Sequence, residues 1–493
     1  MPAPNPAGAG PAVAGRLAWL LLALAASAYL WVAAYMAFNG SLNVDEGFYG
    51  LSARAAWSGL LPYRDFGYTQ TPLFPYISGA LMRLIGFGFL KQRLADGTWG
   101  LLAAGLGTAF LWRRANSRAA LVFVLLVVSD LQWMYFADIG KADGFVALTM
   151  IGAAVAALSG ASFGRRIAVI SVLGVLGVGC RLPSAAYFLV LWAGLVWNER
   201  SGAALGKALL WPAAASLVLI VPFIAASRRN FYFWTIAFHA ASRGAKDWHI
   251  SVADLFPLSP AGCIGAAAVL ALALMGRVRL GRMPAIVLLA MAASVACNVL
   301  PKGAYPEYSA PLVPVVLMLV VLIGARAGIP ARWAAAVAAL LVASSLCIRA
   351  PLDPGIYYKT RKAAAYWRQL QGTPFPFSGS ASTVALEAMA PVEPDMVMSP
   401  FCCTETMPED KAENLHLATP QRIGLLMADK RCRVVILFSE PVRNFVWSMP
   451  TFEMISDRAV TGWKAILEKD YALQYGDSTY VVFARVQPAR KPL

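Results

Sequence analysis

The chain has 493 residues, 59% of them hydrophobic and 14% charged, with a mean hydropathy of +0.60. A soluble domain needs more charge to cover its surface, and several apolar runs reach the ~20 residues that cross a bilayer, so soluble enzymes, disordered chains, collagen and coiled coils are excluded. The formal net charge of +16 is read first as Arg-rich inside loops of a membrane protein, with anionic lipid or phosphate as the second reason and no nucleic acid.

In chain order, residues 1–15, rich in Pro, Ala and Gly, read as a disordered cytoplasmic tail, and 16–349 as a transmembrane domain. Apolar runs at 17–38, 94–112, 119–136, 145–158, 167–178, 182–197, 208–226, 262–275, 284–300, 310–323 and 334–347 predict about eleven spans, several of them short. The first run is too long for a signal-peptide core and is read as retained. With a cytoplasmic N-terminus, the inside connections hold Arg113, Arg114 and Arg118, then Arg165 and Arg166, Arg200 and Lys207, Arg277, Arg279 and Arg282, and Arg326 and Arg332. Every second loop is thus a compact basic turn, as the positive-inside rule requires.

The remaining loops face outward. The first, 39–93, mixes acids, Tyr, Trp and Pro, and its stretch 73–84 is suited to lying along the interface as an amphipathic helix. From 350 to 493 the composition is that of a soluble, extracytoplasmic α/β domain of about 140 residues. Its predicted pieces are helices at 383–389, 420–429 (Thr419 as N-cap) and 463–470, and strands at 396–398, 433–438 and 480–485. Cys180, Cys263, Cys297, Cys347, Cys402, Cys403 and Cys432 lack metal-ligand spacing and read as packing thiols, with one bridge from the Cys402-Cys403 pair to Cys432 left open.

Chemistry is expected on the outer face. Asp45 and Glu46 follow the first span directly, and a carboxylate near a low-dielectric surface can serve as a general base towards a hydroxyl. Helix capping by Asp45, with Glu46 in the first turn, explains the same pair without catalysis. Asp143, with Asp138 and Lys141 close by, opens a later span and has the same two readings. No Gly-x-Ser-x-Gly elbow and no P-loop is present. His239, His249 and His416 lack ligand partners at motif spacing.

The outer loop resembles that of GT-C fold membrane glycosyltransferases related to glycosyltransferase family 39, which includes protein O-mannosyltransferases and the lipid A aminoarabinose transferase. The resemblance rests on Asp45-Glu46, on Gly59-Leu60-Leu61-Pro62-Tyr63-Arg64-Asp65 and on Pro72-Leu73-Phe74, in that order after span one. It extends to Asp143 at the start of a span, to Arg181-Leu182-Pro183 and to Tyr305-Pro306-Glu307-Tyr308, and covers roughly 40–315. Gln70-Thr71-Pro72 departs from it, since relatives commonly carry a basic residue or His before the prolines; Arg64 is the candidate substitute.

The resemblance implies an inverting transfer of a sugar from a polyprenyl-phosphate donor to a hydroxyl acceptor on lipopolysaccharide, a lipid-linked glycan or a protein. The setting is a bacterial inner membrane with the active-site loops and C-terminal domain in the periplasm. Asp45 is the expected base, with Glu46 and Asp143 completing the catalytic acids. Tyr63, Arg64, Asp65, Asp138, Lys141, Arg181, Lys302 and Tyr308 are the expected substrate-binding residues, with Arg228 and Arg229 as a second choice for the lipid phosphate. A divalent cation held by Asp45, Glu46 and Asp143 is chemically reasonable. The alternative function is a transporter or flippase of a lipid-linked saccharide, but such proteins more often place their acids in mid-span.

Overall fold

The computed structural model describes residues 11–199, 201–242, 267, 275–276, 280–299, 306–329, 352–370, 382–439, 447–449 and 453–486. The first half is helical: α1 (Pro11–Asn39), α2 (Glu46–Trp57), α3 (Phe74–Ile85), α4 (Phe89–Arg114), α5 (Ser117–Ser129), α6 (Leu131–Asp138), α7 (Asp143–Leu158), α8 (Phe163–Val178), α9 (Ala185–Glu199), α10 (Gly202–Leu219), α11 (Val221–Ala226), α12 (Arg228–Tyr232) and α13 (Phe238–Ser242). Helices α14 (Arg282–Val299) and α15 (Val313–Arg326) complete the apolar part.

Among the described residues, three helices are long and apolar enough to cross a membrane: Trp19–Asn39 within α1, α4 and α10. The predicted run 119–136 is not one straight span. It is α5 and α6, bent by 76°, because the Asp130 side chain accepts from the Trp133 N–H at 2.8 Å and starts a new helix there. Counting that pair as one span gives a fourth. Other predicted runs fold as shorter helices, and 262–275 and 334–347 lie outside the described residues.

Helices α4 and α7 meet through small residues, as apolar helices must where no water drives them together. A Cβ added at Gly144 would lie 3.0 Å from the Gly100 backbone nitrogen and 3.1 Å from the Asp96 carbonyl oxygen. Ala103, Ala104, Ala147, Ala153 and Ala154 are buried along these two helices. This backbone-to-backbone approach sets the N-terminal end of α7, and therefore Asp143, against α4.

The C-terminal part contains α16 (Ile356–Gln369), α17 (Ser382–Glu387), α18 (Glu409–Asn414), α19 (Pro420–Ala428) and α20 (Asp457–Asp470). Its strands are β1 (Cys403–Thr404), β2 (Val434–Phe438), β3 (Trp447–Met449), β4 (Glu453–Met454), β5 (Tyr471–Gly476) and β6 (Tyr480–Arg485). β2, β6 and β5 form an antiparallel sheet in that order, and β1, β3 and β4 a second, small one. Thr419 caps α19 as expected. Residues 396–398 are not a strand; a short 3-10 turn ends at Met396, which the Pro394 start favours. Cys402, Cys403 and Cys432 are buried and free, so the open bridge is not formed.

The C-terminal part shares one continuous core with the helices. Trp234, in a π-helical turn (Phe233–Ala237), is fully buried, and its Nε1 donates to the Leu415 carbonyl at 2.9 Å. Gly67 is required beneath it, since a Cβ there would lie 2.3 Å from the indole. Asn230 bridges the carbonyls of Tyr63 (3.0 Å) and Asn414 (2.8 Å). Trp234→Ala is expected to cost about 3–5 kcal/mol, as large-to-small core substitutions do; thermal unfolding in detergent, together with faster proteolysis within 382–486, checks it.

Candidate active site

One end of the helical part is organised by Arg93, which is fully buried. Its Nε and Nη2 donate to the two carboxylate oxygens of Glu46, each at 2.7 Å. Its Nη1 donates to the carbonyls of Ala37 (3.2 Å) and Gly40 (2.8 Å), and its Nη2 also to Ser41 (3.1 Å). One guanidinium thus caps the C-terminal carbonyls of α1 and holds the first residue of α2 from the first turns of α4. Glu46 further accepts from the N–H groups of Gly140 and Asn43, both at 3.0 Å. Gln92 reinforces this, its Nε2 donating to the carbonyls of Glu46 (3.0 Å) and Gly140 (2.9 Å).

The C-terminal part closes on the same place. Glu387 accepts from the Phe89 N–H at 2.9 Å, so the N-terminus of α4 is capped by a carboxylate nearly three hundred residues away in sequence. Gly47 and Gly50 admit α17: a Cβ on Gly47 would fall 1.8 Å from Ser382 Oγ, and one on Gly50 2.2 Å from Leu386.

With Glu46 and Gly140 pinned, their neighbours Asp45 and Lys141 face each other. Lys141 Nζ lies 2.9 Å from Asp45 Oδ2 and 3.2 Å from Glu307 Oε1. Arg181 pairs with Asp143, and its Nη1 reaches the Glu307 carbonyl at 3.4 Å. Its guanidinium lies 4.9 Å over the Tyr308 ring. Five charged groups from the α1–α2 junction, the α6–α7 turn, the start of α7, the α8–α9 turn and the Pro306–Tyr308 turn therefore form one array. The Asp45 side chain is 24% exposed, Glu307 16% and Asp143 0%, so Asp45 is the carboxylate of the three most open to solvent.

Burial acts to lower the Lys141 ammonium, but Asp45 and then Glu307 outweigh it and hold it above the ordinary lysine range. Burial acts to raise Glu307, and Lys141 and Arg181 hold it below the usual carboxylate range. The Lys141–Glu307 pair therefore persists through neutrality. Its contribution is lost as pH falls through the lowered Glu307 value or rises through the raised Lys141 value.

The structure brings together Asp45, Lys141, Asp143, Arg181 and Tyr308 of the expected set. It separates others. Glu46 is fully buried with both oxygens taken by Arg93 and backbone N–H groups, so its geometry is that of an organiser, not of the catalytic acid expected. Tyr63 is fully buried and its hydroxyl donates to the Gln70 carbonyl at 2.5 Å, which leaves no ring face for a sugar. Arg64 is paired with Asp65 at 2.8 Å, and Asp65 also accepts from Leu61 N–H, so this turn is built on itself and on the C-terminal part, where His416 meets the Arg64 carbonyl at 3.0 Å. Asp138 is buried against α4, where a Cβ on Gly97 would lie 2.5 Å from its carboxylate. Lys302 lies outside the described residues, as does His249.

The residues do not fit the divalent cation considered for Asp45, Glu46 and Asp143. Each acid has its own cation: Lys141, Arg93 and Arg181, respectively. Among the described residues no group of three metal-ligating side chains occurs.

Glu307, Arg93 and Gln92 were not singled out by the sequence. Glu307 lay in view within the Tyr-Pro-Glu-Tyr stretch, but nothing local ties it to Lys141, 166 positions away.

With this geometry in place, the fold can be compared with known structures. ArnT from Cupriavidus metallidurans bound to undecaprenyl phosphate matches with a TM-score of 0.56 and 17% identity, over 96% of this chain and 99% of that one. The chain has a GT-C fold. The apo form of the same enzyme matches with a TM-score of 0.56 and 16% identity, over 96% and 98% of the two chains. No protein-family model matches the chain, and no curated protein matches its sequence.

Removing one member of the buried Glu46–Arg93 pair strands the other charge. Arg93→Met and Glu46→Gln are each expected to cost about 3–5 kcal/mol, with the double variant less destabilised than their sum. Thermal unfolding of the three purified variants checks this.

Proposed function

We propose that the protein is an inverting glycosyltransferase that moves a sugar from a polyprenyl-phosphate donor to a hydroxyl acceptor at the outer face of the membrane. The observation that carries this reading is the Asp45–Lys141–Glu307 and Asp143–Arg181 array, set at the ends of apolar helices in a GT-C fold. ArnT, whose fold this chain shares, was seen with undecaprenyl phosphate, which supports a lipid-phosphate donor.

The reaction needs little from the protein. The acceptor oxygen forms a bond to the anomeric carbon, the bond from that carbon to the phosphate oxygen breaks on the opposite side, and the polyprenyl phosphate leaves with the electron pair. The hydroxyl proton passes to Asp45, the most exposed of the clustered carboxylates. Lys141 and Arg181 supply positive charge to the leaving phosphate, and a fixed cation shielded from solvent is worth more there than one in water. Asp143, buried on Arg181, orients that guanidinium. The inner-membrane location, the periplasmic orientation and an envelope acceptor such as lipopolysaccharide complete the reading.

Asp45→Asn keeps the shape and removes the base. Transfer from a panel of polyprenyl-phosphate sugars to envelope acceptors is expected to fall about 10²–10⁴-fold, with donor binding retained. Undiminished transfer removes Asp45 from the role. Movement of lipid-linked saccharide across vesicles by wild-type protein, without transfer, favours a flippase instead.

A further inference from the structure

The two cations offered to the donor phosphate are already occupied. Lys141 is enclosed, its side chain 4% exposed, between Asp45 and Glu307. Arg181 is held by Asp143 and by the Glu307 backbone carbonyl. Among the described residues the array sets three carboxylates, Asp45, Asp143 and Glu307, against two cations, so it carries a net negative charge towards an arriving anion.

The three acids are not equivalent. Asp143 is fully buried at the first turn of a long helix packed backbone to backbone on α4, and cannot leave Arg181 without unpacking that helix. Asp45 belongs to the junction that Arg93 pins through Glu46. Glu307 alone stands on a short 3-10 turn between two helices, and it touches both cations, Lys141 through its carboxylate and Arg181 through its carbonyl. A carboxylate oxygen on a lysine, with a carbonyl oxygen on the neighbouring arginine, fills one acceptor position on each cation, as two oxygens of a phosphate monoanion would.

Resting on the glycosyltransferase reading, we propose that Glu307 is a stand-in for the donor phosphate: it occupies Lys141 and the edge of Arg181 in the unliganded site and is displaced by the lipid phosphate, so that it sets donor affinity. Displacement leaves the cations paired with the phosphate and frees the Glu307 carboxylate to face the solvent-exposed side of the site. The cost of parting Glu307 from Lys141 is subtracted from every donor, so affinity is held down and the spent polyprenyl phosphate is more readily released.

The test uses the full-length protein in lipid nanodiscs, with undecaprenyl phosphate as probe and undecaprenol, which lacks the phosphate, as control. Glu307→Gln is isosteric and removes the competing charge, and it is expected to lower the dissociation constant for undecaprenyl phosphate about tenfold, a change of ~1.4 kcal/mol. Glu307→Ala should shift it in the same direction, undecaprenol binding should not change, and the gain should vanish in Glu307→Gln/Lys141→Ala. Unchanged or weaker binding of the phosphate by both Glu307 variants, or equal tightening of undecaprenol, overturns the proposal while leaving the enzyme reading intact. Failure of wild-type and variants alike to bind undecaprenyl phosphate overturns both.

Discussion

A guanidinium buried with no water around it must satisfy all of its N–H groups from protein, and Arg93 does so by joining three elements that are separate in sequence. The end of α1, the beginning of α2 and the turn before α7 are held within hydrogen-bonding distance of one another because Arg93 and Glu46 cannot part. The charged array beside them inherits its position from this pair. Asp45 is the residue before Glu46, and Lys141 is the residue after Gly140, whose N–H Glu46 accepts. The Asp45–Lys141 pair is thus displaced by one residue on each side from the Glu46–Gly140 contact.

This division of labour explains why two adjacent acids are needed. Glu46 provides shape, with its oxygens fully committed, and Asp45 remains partly open beside a lysine. The second layer, Asp143 on Arg181 and Tyr308 over the same guanidinium, fixes the other cation from α7 and from the turn before α15. The C-terminal part belongs to this design. Its Glu387 caps α4 four residues before Arg93, and its helix α17 sits against glycines of α2 that admit nothing larger.

Much of the fold was legible because its causes are local. Apolar runs long enough to cross a bilayer, basic turns between them, and the Thr419 cap declare helices and their starts from a few neighbouring residues. The bend at Asp130 shows the limit, since a single polar residue in an apolar run ends a helix when its side chain finds a backbone N–H three residues on. In the site, Asp45, Asp143, Lys141, Arg181 and Tyr308 could be found because charges are scarce in such a chain and each lies at the end of an apolar run.

By itself, the sequence determined that the chain is helical and apolar enough to lie in a membrane, where its charged turns lie, and that an Asp-Glu pair follows the first apolar run. These follow from composition and short-range spacing. Only the tertiary structure decided that Glu46 and Arg93 are a buried brace, that Tyr63 and Asp138 are turned inward, and that Glu307 faces Lys141. The physical reason is that an ion pair depends on distance in space. Two charges 166 residues apart in sequence carry no mark of their partnership until helix packing through Gly100, Gly144 and their neighbours has brought the ends of their elements together.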